Sequence, residues 1–212
     1  MDLLNKISAE PTSGQILQVF YKEHDLPADG GFSEPRAKVK LTDRIHLYIP
    51  NIDARRIVLL QHDVHHLLTG YTTILKDELE ISSWEVGSGC GKYWFGWAIN
   101  MQGLMLGLLI RFGGVFRAFV RGRHSMNLYH NPIEKAKLKN MTIKEIESII
   151  KIPPKNELIK PTPKDIISFL WYVFIGGIYS IALVLIYTPL LFIYNAVVFI
   201  KIKTISAGSK SL

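Results

Sequence analysis

From Ile166 to Ile200 the sequence runs for 35 residues without one charged side chain. Nothing else in the chain limits its fold so strongly. About 20 apolar residues cross the hydrocarbon core of a bilayer, so this run is long enough to span it. Read as one helix at about 1.5 Å per residue it reaches roughly 52 Å, against a core of about 30 Å. It is expected to tilt, kink or turn, as one transmembrane helix or as a hairpin reversing near Thr188-Pro189. Lys160 and Lys164 precede the run, and Lys201 and Lys203 follow it. A hairpin with both ends cytoplasmic would carry lysines in this way. The expected location is therefore a membrane, with the soluble domain on the cytoplasmic side.

The charge distribution separates the chain into parts. All 18 acidic residues lie in 1–165, and residues 166–212 hold only three lysines. With 48% hydrophobic and 20% charged residues the chain is expected to fold rather than remain disordered. One cysteine, Cys90, excludes a disulfide framework and a zinc site built from thiolates. Asn5, Lys6 and Glu10 break the first apolar run, so the start does not read as a secretory presequence. The expected organisation is a helical metal-binding domain over 1–152, a proline-rich linker over 153–165, a membrane segment over 166–200 and a basic tail over 201–212.

The fold class expected is all-α. Helices are expected over 3–24, interrupted at Pro11–Gly14, then over 53–69 with Gly70 as the stop, over 73–86, and over 132–151. A small hairpin is expected within 38–49. The apolar stretch 92–121 carries Asn100, Gln102 and five glycines over 96–114, which favours a core or membrane-surface helix over a span. The arginines that follow, 111, 117, 121 and 123, suit either a solvated face or contact with lipid phosphates. No internal repeat, phosphate-binding glycine loop, Ser/His/Asp order or nucleic-acid motif stands out.

The chemistry lies in Gln61-His-Asp-Val-His-His-Leu-Leu-Thr-Gly70. At about 100° per residue, His62, His66 and Asp63 fall within one arc of a helix, while His65 falls outside it. The rest of this helix is apolar on nearly every side, so its polar groups need partners. On the next helix Glu78 and Glu85 occupy the middle of an apolar face, and Lys76, Asp77 and Glu80 point away from it. About three residues join the two helices, so they should run antiparallel. At about 1.5 Å per residue Glu78 is level with the histidines and Glu85 is a turn or more too deep. His62, Asp63, His66 and Glu78 therefore form a candidate divalent-metal site of nitrogen and oxygen donors, accepting zinc, iron or manganese. Glu85, buried nearby, is a candidate catalytic proton donor with a raised pKa.

The spacing His62-Asp63-x-x-His66, eleven residues, then Glu78 resembles the signature of the coenzyme Q (ubiquinone) biosynthesis protein Coq-four family. Thr69-Gly70, Gly122-Arg123, Asn127-Leu128-Tyr129 and Ile149–Pro153 are similar to it more weakly, and the resemblance covers roughly residues 50–153. It implies an all-α domain, a zinc-type site on the four motif positions and peripheral membrane association. It also implies a part in ubiquinone biosynthesis, in oxidative decarboxylation at ring carbon 1 or in organising the other enzymes. The added C-terminal membrane segment departs from the family pattern. The partners implied are a prenylated quinone precursor or another isoprenoid lipid, the membrane and other quinone-biosynthesis enzymes. Nucleic acid is not expected, and a homo-oligomer is allowed. An isoprenoid tail would need a greasy groove beside the ion, for which Tyr93, Trp94, Phe95, Trp97 and the glycines at 103, 107, 113 and 114 are the candidates.

Other classes fit parts of this pattern. A non-catalytic lipid-binding scaffold needs the same apolar surfaces without turnover. A membrane di-iron hydroxylase or desaturase is suggested by His62-x-x-His65-His66, but His24, His46, His124 and His130 form no further histidine boxes. A zinc protease would place a glutamate after the first histidine, where this chain has Asp63.

Overall fold

In a computed structural model of the chain, residues 10–40 and 46–208 are described. The order is α1 Ser13–Glu23, β1 Arg36–Lys40, β2 His46–Pro50, α2 Asp53–Thr69, α3 Leu75–Ser88, α4 Trp94–Arg123, α5 Lys135–Asn140, α6 Ile143–Ile149 and α7 Pro163–Gly208. The fold is all-α apart from one hairpin, in which β1 pairs antiparallel with β2 from Arg36↔Pro50 to Lys40↔His46. Expectations for Leu3, Leu4 and Ile7, for residues 41–45 and for the end of the basic tail lie outside the described residues.

Local chemistry accounts for the ends of the elements. Thr12 and Gln15 form a reciprocal capping box that starts α1, and Thr142 with Glu145 does the same for α6. That second box divides the single helix expected over 132–151 into α5 and α6. Gly70 closes α2 in the left-handed conformation, at φ 72°, with its N–H donating to the His66 carbonyl.

Leu17 and Tyr21 of α1 pack with Leu60 and Val64 of α2, and with Leu138, Ile146 and Ile150 beneath them. A second cluster joins α3, α4 and the start of α7 through Leu79, Val86, Leu104, Val115, Phe119 and Phe169. Between them Ile81 and Trp84 of α3 meet Tyr71 and Ala118. The linker is held to the helices: buried Arg121 donates to the Thr69 and Pro153 carbonyls and lies over the Tyr71 ring.

Among the described residues, two helices, α4 and Pro163–Ile186 of α7, are long and apolar enough to cross a membrane. They differ in shape. Arg111 of α4 has non-helical φ −149°, ψ 51°, and the helix doubles back there. Gly103 and Gly107 of the first arm face Ser82 and Leu79 of α3, so that arm runs antiparallel to α3. Along the second arm Val115 accepts from Ser83 and Phe119 lies on Gly87, so that arm runs parallel to it. The arms at 94–110 and 112–123 thus clasp α3. A Cβ on Gly107 would meet Val115 across the bend, and one on Gly122 would strike the Trp84 carbonyl. The glycines at 103, 107 and 114 are consumed by these approaches, so they do not line the open groove expected of them.

α7 is a single helix of 46 residues, about 69 Å long at 1.5 Å per residue. It does not reverse at Thr188-Pro189; Pro189 sits inside it, and its missing N–H leaves the Leu185 carbonyl without a helical donor. Its first turns belong to the domain core. Tyr172 stacks on Trp97 at 5.6 Å, and Ser180 accepts from Gln102. Further along, the Asn195 amide brackets the Tyr48 backbone, accepting from its N–H and donating to its carbonyl.

Gly122→Ala is expected to lower stability by about 1–3 kcal/mol, the usual cost of overpacking against backbone that cannot retreat. A thermal melt of the purified variant checks this, and an unchanged midpoint would show that α3 and α4 sit less closely.

Candidate metal centre

The short turn 71–74 brings α3 back along α2, and the histidines of α2 meet the carboxylates of α3. The Nε2 atoms of His62 and His66 face each other at 3.2 Å. Glu78 closes the triangle, with Oε1 3.6 Å from His66 Nε2 and Oε2 3.9 Å from His62 Nε2. Ligand atoms bonded to zinc at about 2.0–2.1 Å in a tetrahedron stand roughly 3.3 Å apart. The three donors are thus close to the spacing a small cation imposes. A His62–His66–Glu78 group of this kind could hold a metal ion.

The opposite ring nitrogens explain why the rings face this way. His66 Nδ1 is 3.0 Å from the Tyr71 carbonyl, which only accepts, so Nδ1 carries hydrogen. His62 Nδ1 is 3.0 Å from Glu85 Oε1, which fixes the same tautomer. Both Nε2 lone pairs therefore point into one gap, where two neutral rings cannot bond each other. Something positive must occupy it, either a proton or a metal ion. Histidine ligands backed by a carboxylate or a carbonyl are the usual support of a metal site.

Charge follows this geometry. Burial works against the His62 imidazolium, but the Glu85 carboxylate outweighs it and raises the pKa to about 9. Burial, then the positive His62, push His66 down to about 3. Burial raises the pKa of Glu78. The metal-free site thus holds one proton on His62, and an ion must displace it. Affinity for zinc is expected to rise roughly tenfold per pH unit below the His62 pKa, from one-proton linkage, and to level off above about 9. Titrations across this range check the slope; a flat profile would place the proton elsewhere.

Asp63 is not brought into the group. It is buried and accepts from the Tyr21 hydroxyl at 2.6 Å, and burial raises its pKa to about 6. Glu85, expected a turn or more too deep, instead meets the far side of the His62 ring and His65, and it is not the proton donor expected. It is 0% exposed, and its Oε1 lies 3.0 Å from His62 Nδ1 and 2.6 Å from His65 Nδ1. Asn100 Nδ2 and the Tyr129 hydroxyl donate to it as well. Burial would raise its pKa, but the positive His62 and the hydrogen bonds from both histidines hold it well below the usual carboxylate range. Four donors satisfy a carboxylate and leave no proton to give.

Sequence reasoning missed His65, Tyr129, Asn100 and Tyr21. His65 Nε2 accepts from the Leu128 N–H at 3.0 Å, so its ring ties the 127–129 turn to Glu85. The one available signal was Asn127-Leu128-Tyr129, read only as a weak likeness. Asp77 and Glu80, expected to point away, are buried too. Asp77 pairs with Lys155 at 3.2 Å, and Glu80 pairs with Arg111.

Set against known proteins, the chain matches no family model, no curated protein and no solved structure. The chemistry of the site must carry its interpretation.

Proposed function

We propose that this chain is a membrane-associated metal protein that binds a divalent ion at His62, His66 and Glu78 and acts on, or presents, a prenylated quinone precursor. The observation that carries the metal reading is the pair of Nε2 lone pairs 3.2 Å apart, each ring fixed by an acceptor at its Nδ1. Two imidazoles and one carboxylate leave a coordination position open, as sites that act on substrates do. Zinc stands first, and iron(II) or manganese suits the same donors. Asp63, one residue from His62, would be a fourth donor if it left Tyr21. A bound ion would supply a Lewis acid for a ring carboxylate or phenolate.

The quinone part rests on the spaced motif His62-Asp63-x-x-His66 to Glu78 and its resemblance to the Coq-four family. Under this reading the protein serves ubiquinone biosynthesis, in ring C1 oxidative decarboxylation or in organising the other enzymes. Lipid extraction and mass spectrometry of a deletion strain should show a prenylated early intermediate accumulating. An unchanged quinone and precursor profile would sink this reading.

A non-catalytic lipid-binding scaffold is favoured by one observation: Glu85, the candidate acid, is ionised and saturated with donors. Turnover by purified protein on a prenylated 4-hydroxybenzoate decides between enzyme and scaffold.

α7 is the proposed membrane anchor; domain residues meet it from Phe169 to Asn195, so a full crossing would carry β2 into or across the bilayer. A single span predicts that cysteines placed at Thr162 and Ser206 label from opposite faces of sealed vesicles. Labelling from the same face would mean that α7 does not cross.

A further inference from the structure

The bend of α4 carries an apolar surface that the metal site does not use. Within seven positions Leu106, Leu109, Ile110 and Phe112 are 44%, 85%, 56% and 59% exposed. Large apolar side chains so closely grouped on a surface mark a contact with something apolar. The bend is continuous with α7. Phe112 and Phe116 set their rings on Phe169 at 6.2 and 4.9 Å. Phe169 is the fourth residue of the uncharged run, and its outward neighbours Ile167, Leu170 and Trp171 are 67%, 59% and 59% exposed.

α4 itself carries charge of one kind. α4 holds no acidic residue from Trp94 to Arg123. Arg111, at the bend, is half exposed and pairs with Glu80, which offsets its charge beside the apolar tip. Arg117 lies exposed on the arm beyond, Lys160 is exposed before α7 and Lys164 in its first turn. An exposed cation beside an apolar tip suits anionic headgroups.

We propose that the α4 bend is a second membrane contact, in which Leu106, Leu109, Ile110 and Phe112 enter the hydrocarbon of the leaflet that receives the start of α7. It rests on the reading of α7 as a membrane anchor. Both arms of α4 are packed on α3, so the bend dips and returns without crossing. The contact would fix the orientation of the domain on the bilayer, which a single helix leaves free to rotate.

Single cysteines carrying an environment-sensitive fluorophore test this in the full chain, one each at Leu109→Cys, Ile181→Cys and Lys22→Cys. Native Cys90 is 0% exposed and stays unlabelled. The proteins are reconstituted into phosphatidylcholine and phosphatidylglycerol vesicles with or without spin-labelled acyl chains. Metal content and circular dichroism confirm the fold of each. The expected result is a blue shift and acyl-chain quenching at position 109 that match those at 181, with neither at 22. Quenching at 181 but not at 109 overturns the proposal and leaves the anchor standing. A blue shift at 109 without acyl-chain quenching also overturns it, since a second copy or another protein then covers the bend. Quenching at neither 109 nor 181 overturns both. Quenching at 109 alone overturns the proposal as stated, because the α7 anchor it rests on is then absent.

Discussion

Purified His66→Ala protein is expected to carry no bound divalent ion, where the unaltered chain carries about one. His66 is 3% exposed, and its Nε2 points at His62 and Glu78 with its tautomer set by the Tyr71 carbonyl. Alanine removes that donor and leaves two ligands, too few to hold an ion against buffer. Elemental analysis by mass spectrometry after gel filtration reads the result directly. A second readout follows from linkage. An ion that binds only the folded chain stabilises it by about 4 kcal/mol at a thousandfold excess over its dissociation constant. Added zinc should therefore raise the melting temperature of the unaltered protein and leave His66→Ala unmoved. Equal metal content in both would remove the site.

Glu85 is the second residue whose replacement should have a large effect, and the two substitutions worth making differ in kind. Glu85→Leu strips His62, His65, Asn100 and Tyr129 of a shared, fully buried acceptor. Breaking a buried charged network from one side costs about 3–5 kcal/mol, so this variant should express poorly or melt far earlier. Glu85→Gln keeps the shape and one acceptor oxygen. It should fold, but with His62 held less firmly and made less basic. Loss of an outer partner of a metal-binding histidine weakens affinity by roughly 10–100-fold. Competition with a zinc-binding dye measures the change. Unchanged affinity in a folded Glu85→Gln protein would show that Glu85 serves the core alone.

Much of the candidate site was legible in the sequence because its signals are local. A helix fixes the relative angles of residues a few places apart, so His62 and His66 share a face whatever surrounds them. Gly70 and the short turn after it force α3 back along α2, which makes Glu78 level with the histidines by rise alone. The boundaries of α2 and the arrival of Glu78 within 4 Å of both rings follow from this. The 35-residue uncharged run is equally local, and it lies within the long apolar helix α7; that the run does not reverse at Thr188-Pro189 was not legible in it.

What the sequence could not determine depends on which surfaces meet. Asp63 lies on the same arc as the histidines, but α1 packs across it and offers Tyr21, so its carboxylate turns to that hydroxyl. Glu85 looked like a buried acid in an apolar site, a setting that raises a pKa. Four donors from three separate segments surround it instead, and their effect is larger than that of burial. The glycines of α4 suggested space for a ligand, whereas α3 fills it, because a bend at Arg111 lets both arms close on α3. Periodicity assigns a residue to a face of its own helix. Only the packed structure decides what stands opposite that face, and at a buried polar group the partner opposite decides charge, tautomer and role.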